Sequence, residues 1–557
     1  LGSTSDTGVP TDLYSHRIRN ANFHTVRRTL VMLAGLILLT LTVYWQAHRF
    51  EFINFDDADY VYDNRWVHAG FTAATVREAF TTYRMGNWNP LLWFSFYTDE
   101  ILFHLKPGPM HVENVLLHLI TGLLLWRLLF VSTGSLNRSF VVAALFLVHP
   151  MHVESVAWVT ERKDVLSTPL LIAAMLAYVR YCKNPSGRWI AYLAMLVLFA
   201  LSLLVKTMGV TLPAVLLLMD YWPLGRWPKQ SWLKLVIEKI PVLAISIGAS
   251  VMGAIAQYVI GAAATVENLP MSNRIENAIL CYVIYIAKLL VPINLGVFYP
   301  HALTQPMPAV VISAILLTIA TYFFFRIRKR FPYVITGWFF FLGTLVPVIG
   351  LVQVGGQSMA DRYSYLPSIG IFIVLVWGCG DALPGKLRTP AAFTIVGIFT
   401  IMGHVQAAYW RNTETLFTHT SNVTDDSALV HVELAQVAIE KKDIHRAVDQ
   451  CNLALAHGPS ALAYFTLGEC WLNEDPRKAR GFFIKAVEMQ PRAVLYHVSY
   501  AESLRRISEL PETRKDPGEV KRDMELAKQQ AQAAIKLDPG DPNALDELSK
   551  VNAEPAQ

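Results

Sequence analysis

Leu30-Val31-Met32-Leu33-Ala34-Gly35-Leu36-Ile37-Leu38-Leu39-Thr40-Leu41-Thr42-Val43-Tyr44-Trp45, with Phe55-Asp56-Asp57-Ala58-Asp59-Tyr60 shortly beyond it, is the stretch that decides the fold. An apolar run of this kind reads as a membrane-spanning helix, and an acidic cluster at its mouth predicts chemistry on something the membrane holds. Arg17, Arg19, Arg27 and Arg28 precede the run. The bias of Lys and Arg toward cytoplasmic segments therefore puts residues 1–28 inside and the aspartates outside.

The same apolar signal recurs along the chain, whose 557 residues are 53% hydrophobic. Further candidate spans lie near 114–132, 139–150, 165–182, 189–205, 208–222, 235–261, 308–325, 333–351, 366–380 and 391–410, about eleven in all with the first. The turns that would face the cytoplasm are basic: Arg138; Lys183 and Arg188; Arg226, Lys229 and Lys234; Arg326, Arg328, Lys329 and Arg330; Lys386 and Arg388. This count puts the carboxyl-terminal region on the side of Asp56. Arg274 to Val291 is apolar but carries Arg274, Glu276 and Lys288, and it reads as an interfacial or re-entrant segment. No cleavable-signal pattern follows Leu1-Gly2-Ser3, which predicts that the first span stays as an anchor.

A net charge of +5 is ordinary for a protein with basic cytoplasmic turns, so nothing points to nucleic acid. The five cysteines show no CxxC or zinc-type spacing; Cys451 and Cys470 fall in the outer soluble region, where a disulfide is permitted but not indicated.

After Trp410 the composition turns polar and helical. Segments 428–459 and 460–491 align at a spacing of about 32 residues, near the 34 of a tetratricopeptide repeat. Ala447, Ala454 and Leu455 precede Gly458-Pro459; Ala479 and Ala486 precede Gln490-Pro491; Ala534, Ile535 and Leu537 precede Asp538-Pro539. Leu434-Ala435, Leu467-Gly468 and Tyr500-Ala501 take equivalent first-helix positions, and Ile507 to Val520 reads as an insertion. Residues 413–557 are thus read as a solenoid of about three units, which either binds a peptide in its concave face or serves as a solubilising stack.

The first outer loop, 48–110, is too long for a turn. Thr75 to Tyr83 and Leu91 to Leu105 are amphipathic pieces suited to the interface. His111, Asn114 and His118 follow on one helical face, which should look into the protein rather than lipid. In the second outer loop, His149-Pro150-Met151-His152-Val153-Glu154, the pair His152 and Glu154 reads either as a divalent-metal site or as a hydrogen-bonded structural pair. Lys206 is a phosphate contact or a snorkelling lysine. Arg362, in Asp361-Arg362-Tyr363-Ser364-Tyr365-Leu366-Pro367, meets a phosphate with its planar fork or pairs internally with Asp361.

As an ordered set, Phe55-Asp56-Asp57, Asn89-Pro90, His149 to Trp158, Glu161-Arg162-Lys163-Asp164, Lys206, Tyr299-Pro300-His301 and Asp361 to Pro367, with trailing helical repeats, resembles the transmembrane and tetratricopeptide repeat-containing O-mannosyltransferases and their bacterial relatives. The resemblance implies an all-α chain: a GT-C membrane helix bundle over 29–412, then the solenoid. It implies an inverting transfer of a sugar, a mannose-like hexose, from a polyprenyl phosphate to a hydroxyl, Ser or Thr of a protein held by the repeats. One of Asp56 and Asp57 would be the general base; sequence leaves the choice open, with Asp56 favoured as the nearer to the membrane exit. Arg362 and Lys206 would receive the departing phosphate, with Asn89, His149, His152, Glu154 and Tyr363 as further substrate contacts. A lipid-monophosphate leaving group does not itself require a metal, so no cofactor is certain and a divalent metal stays open. The short repeat array departs from the animal members, so their cadherin acceptors are not carried over. The expected location is a bacterial inner membrane with site and repeats in the periplasm, or an endoplasmic reticulum membrane with a lumenal site. The competing reading is a non-enzymatic scaffold that recruits partners through its repeats. A transporter would need internal symmetry of two halves, and none is found.

Overall fold

A computed structural model describes residues 11–259, 269–302, 304–352 and 355–553, with side chains from Val26 onward. The first ten residues of the expected cytoplasmic segment and the last two of the span expected at 235–261 lie outside the described residues. The chain divides into two compact units, Leu1–Asn412 and Thr413–Gln557.

In the first unit, each stretch read as a span contains a helix over part or all of its described residues. Six are long and apolar enough to cross a bilayer: Val26–Arg49, Pro107–Thr133, Arg162–Lys183, Ile240–Val259, Met307–Ile327 and Gly385–Tyr409. A seventh is a broken pair, Leu136–Val148 and Pro150–Ala157, bent by 54°. Pro150 supplies no N–H to continue the helix, and the His149 ring accepts instead from Met151 N at 3.3 Å. Arg188–Leu203, Thr207–Tyr221, Pro332–Leu345 and Ser368–Ala382 are apolar but shorter. At 1.5 Å per residue such helices reach at most about 25 Å, less than the hydrocarbon core of about 30 Å. Among the described residues, length and composition support six spans, or seven with the bent pair, and do not confirm the expected count of about eleven.

The segment read as interfacial or re-entrant is one unbroken helix, Met271–Leu290, so the re-entrant form is set aside. Its Asn277 and Tyr285 are buried and donate to the carbonyls of Ser358 (3.0 Å) and Ala360 (2.9 Å). This helix thereby steers the loop that leads to Arg362. Two short strands, Tyr299–Pro300 and Gln357–Met359, pair antiparallel beside it, a small exception to the all-α reading. The helix after that loop is held by backbone contact. A Cβ on Gly337 would stand 2.4 Å from the Gly370 carbonyl, and one on Gly370 2.3 Å from that of Gly337, so only glycine lets Pro332–Leu345 and Ser368–Ala382 approach this closely.

In the second unit, Ala428–Glu440 with Ile444–Ala456, Ala461–Trp471 with Pro476–Met489, and Val494–Ser508 with Pro517–Leu537 form successive antiparallel hairpins. The small residues singled out by the repeat alignment sit where neighbouring helices interlock. Ala435 packs with Cys451 and Leu467, and Ala479 and Ala486 pack with Phe483, Tyr500 and Ala501. Gly468 faces Phe483 so closely that a Cβ would stand 2.4 Å from the ring. The insertion expected near 507–520 is a short loop with one turn of tight helix, Thr513–Lys515.

Candidate functional site

Beyond the first span the chain turns sharply. Ala58–Tyr62 is a single π-turn, closed by Asp63 N donating to Ala58 O at 3.0 Å, and Asn64 then caps the next short helix. Such turns are uncommon and concentrate at functional sites.

Asp57 is fully buried and works as a clamp. Its carboxylate accepts from Ile53 N (2.9 Å), Thr160 N (3.0 Å) and the Thr160 hydroxyl, tying the first outer loop to the second. Burial pushes its pKa up to about 6, the hydrogen bonds from Thr160 and Ile53 working the other way. Asp56 sits in a recess, partly open to solvent and enclosed on its other sides. Among the described residues its carboxylate has no hydrogen bond and no ion pair. Burial raises its pKa; Lys163 and Arg362 pull it down and Glu161 pushes it further up.

The second outer loop builds the opposite wall around Glu161, a residue whose role sequence reasoning missed. Lys163 Nζ (3.2 Å), Lys206 Nζ (3.3 Å) and Arg362 Nε (3.2 Å) all converge on its carboxylate. Burial opposes the charge of Glu161, but these three cations outweigh it and hold the carboxyl well below the ordinary range. Lys206 also reaches Asp164 at 2.6 Å. Burial works against its ammonium too, and Asp164 and Glu161 more than compensate. Arg362 lies over the rings of Trp158 (5.4 Å) and Tyr363 (5.0 Å), and Lys163 over that of Tyr60 (5.1 Å). Phe55 stacks on Trp158 at 5.5 Å, so the residue before Asp56 is seated on the Arg362 platform.

Arg362 and Lys206 thus share Glu161 with Lys163, so neither is a free cation, and Arg362 and Lys163 act on Asp56. The internal partner of Arg362 is Glu154, not Asp361: Glu154 accepts from the Arg362 guanidinium and, at 2.8 Å, from Arg362 N. Asp361 accepts instead from Tyr299 Oη at 3.0 and 3.1 Å; burial pushes its carboxyl up, against the pull of Lys288. A carboxylate needs the partner its backbone can aim at, and the tight turn Asp361–Ser364 aims Asp361 and Arg362 apart.

The expected pairing of His152 with Glu154 is absent from this arrangement. His152 uses both ring nitrogens, on Phe146 O (2.7 Å) and Ser368 Oγ (3.0 Å), and both oxygens of Glu154 are taken by Arg362. His149 is a buried joint: Nε2 donates to Leu289 O at 3.0 Å while Nδ1 caps the bend. Asn89 is buried at the start of Pro90–Phe103, where its carbonyl accepts from Leu92 N and Trp93 N. Tyr363 accepts from Gln357 Nε2 at 3.0 Å on the outer side of the Arg362 turn. His111, Asn114 and His118 are buried, as their helical face required.

The bracket that holds the walls together also escaped the sequence. Fully buried Arg162 pairs with Asp99, donates to Asn114 Oδ1 (2.9 Å) and to Met110 O (3.2 Å), and lies over Phe96 at 5.2 Å. It joins Pro90–Phe103 and Pro107–Thr133 to the start of Arg162–Lys183. Asp99 and Arg162 are 63 positions apart, so no local spacing announces them.

No protein-family model matches the chain. Human protein O-mannosyl-transferase TMTC3 is 28% identical over 200 residues, 34% of this chain and 21% of that protein. Mouse protein O-mannosyl-transferase TMTC1 is 33% identical over 146 residues, 24% of this chain and 15% of that protein. Drosophila melanogaster protein O-mannosyl-transferase Tmtc2 is 32% identical over 140 residues, with shares of 24% and 15%. The matched segments span about a fifth or less of these relatives' own length. The crystal structure of the APC/C hetero-tetramer Cut9-Hcn1 aligns across 87% of this chain and 95% of that chain at 12% identity, with a TM-score of 0.23 that bears on no fold argument. Over a quarter to a third of its length, this chain is similar to the TMTC family of protein O-mannosyl-transferases.

Proposed function

We propose that the chain is a membrane glycosyltransferase of GT-C type that moves a mannose-like hexose from a polyprenyl phosphate to a hydroxyl, Ser or Thr of a protein, with Asp56 as general base. The observation that carries this reading is the contrast between neighbours: Asp57 is saturated with hydrogen bonds, while the Asp56 carboxylate is solvent-accessible, without a hydrogen bond, and close enough to Lys163 and Arg362 to feel their charge. A base must reach the proton it takes, so accessibility counts before acidity.

In the proposed step the acceptor oxygen attacks the anomeric carbon while its proton passes to Asp56. The bond from that carbon to the phosphate oxygen breaks, its electrons leave with the lipid phosphate, and the anomeric centre inverts. Charge grows on the phosphate, and Arg362, Lys206 and Lys163 are the cations at hand to receive it. Each is already shared with Glu161, so the phosphate competes for existing pairs. The similarity to TMTC proteins supports a protein acceptor, and the helical hairpins of Thr413–Gln557 are the unit proposed to hold it. The basic-turn bias puts the reaction on the non-cytoplasmic side.

The test is transfer of labelled sugar from a polyprenyl phosphate to a Ser/Thr peptide by the purified full-length chain. Wild type should transfer and Asp56→Asn should not, at unchanged melting temperature. Full activity in Asp56→Asn removes the base assignment, and a well-folded wild type inactive on every donor sugar favours the scaffold reading.

A further inference from the structure

The linker Asp425-Asp426-Ser427 enters the first helical hairpin of the second unit beside two histidines. His431 lies in the first turn of Ala428–Glu440, and His457 caps the end of Ile444–Ala456. Their rings stack at 5.9 Å with 23° between planes, and both aim Nε2 at Asp426: His431 Nε2 is 2.8 Å from Oδ1 and His457 Nε2 is 3.1 Å from Oδ2.

His431 sets this apart from an ordinary pair of surface contacts. It is buried, with 8% of its surface exposed, and its Nδ1 donates to Gln450 Oε1 at 2.7 Å, which orients the ring and aims Nε2 at Asp426. That Nε2 is buried and, despite its closeness to Asp426, aligned with no hydrogen-bond partner. The ring is held from behind and points Nε2 at a spot that a second imidazole and a carboxylate also approach. One ligand atom from each of the three residues lies within 4.8 Å of the other two. A tetrahedral ion with metal–nitrogen bonds of about 2.0–2.1 Å needs ligand atoms about 3.3 Å apart, so a small outward shift of Asp426 admits it. Asp426 is free to make that shift, since its side chain is 58% exposed.

We propose that Asp426, His431 and His457 bind a divalent transition-metal ion of the zinc class, His431 and His457 through Nε2 and Asp426 through one carboxylate oxygen. Two imidazoles and a carboxylate suit zinc and its neighbours rather than magnesium or calcium. Binding moves the Nε2 proton of His457 to Nδ1 or to solvent, and leaves at least one position for water or a fourth donor. The ion ties the linker to both helices of the first hairpin, fixing how the chain enters the repeats. Gln450 acts as a positioning residue.

The test is zinc titration of the full-length protein in detergent against a chromophoric chelator, with cobalt(II) as a spectroscopic stand-in. The chain has 16 histidines, so the difference between variants decides the matter rather than the total bound. The wild type should hold one tight equivalent, with cobalt d–d bands of a nitrogen/oxygen tetrahedral site, and His431→Ala, His457→Ala and Asp426→Asn should each weaken that equivalent at least tenfold. Asp426 and His457 are exposed enough that their variants should keep the wild-type circular dichroism and metal-free melting temperature. Unchanged zinc affinity in Asp426→Asn and His457→Ala, or a wild type without a tight equivalent at neutral pH, overturns the proposal.

Discussion

The helix Arg162–Lys183 carries a buried charged network at each end, and the two differ in what they leave over. At its far end Asp220 accepts from Tyr178 (2.7 Å) and pairs with Arg226 (2.9 Å) and Lys239, while Glu238 pairs with Arg226 at 2.7 Å and accepts from Tyr181 at 3.2 Å. Two acids meet two bases and every charge is answered. At the near end Lys163, Lys206 and Arg362 face Glu154, Glu161 and Asp164 in the same balanced way, and Asp56 is then a fourth acid with no pair of its own among the described residues. A closed network stores specificity and stability in its geometry. A network with one accessible acid beyond balance has a group to spend on a substrate.

Substitutions at the two ends should separate these roles. The largest effect is expected from Asp56→Asn, which should slow sugar transfer about 10²–10⁴-fold, the usual worth of a general base, with the melting temperature unchanged. Because Asp56 is raised by burial, wild-type transfer should fall on the acid side at a pH above the ordinary aspartate value of about 3.9, as read from the pH–rate profile. At the other end, Asp220→Ala leaves buried Lys239 and Arg226 to share Glu238 and should cost about 3–5 kcal/mol in denaturant unfolding, while turnover per folded molecule stays the same. If Asp220→Ala abolishes turnover in folded protein, the division of labour between the ends is wrong.

Asp57 gives a pH signature at the near end. Its folded pKa of about 6 exceeds the unfolded value of about 3.9, so the folded state holds this proton more tightly. The stability linked to it is fully present below about pH 4 and is lost as pH rises through about 6, a change of about 3 kcal/mol. Asp57→Asn should flatten that slope in a pH series of unfolding curves, and an unaltered slope would assign the titration elsewhere. The smallest effect is expected from Tyr181→Phe, which removes one donor to Glu238 and should cost about 0.5–1.5 kcal/mol without touching activity.

Much of the architecture was legible because it is written in short-range patterns. Apolar runs of helical length located the spans, basic turns suggested their direction, and alanines at a repeat of about 32 residues located the hairpins. The number of spans is not settled by composition, because an apolar stretch of 14–16 residues looks like a span in composition and falls short in length. The bend at His149-Pro150 and the unbroken Met271–Leu290 show the same limit: proline and charge mark where a helix changes character, while the outcome rests on what packs around it. At the site, the residue types were readable and their partners were not. Asp56, Arg362 and Lys206 were named from sequence, while Glu161, which collects Lys163, Lys206 and Arg362, was named only within a run of four charged residues and given no role.

By itself the sequence determined an apolar, helix-rich chain with a polar repeat region, and placed acids beyond the first span and cations in later loops, since hydropathy and periodicity are properties of neighbouring residues. Only the tertiary structure decided which acid is saturated and which is accessible. Arg362 meets Glu154 across 208 positions and Thr160 meets Asp57 across 103, and partners so distant are chosen by how helices pack, the one thing that sets which desolvated charges must satisfy one another.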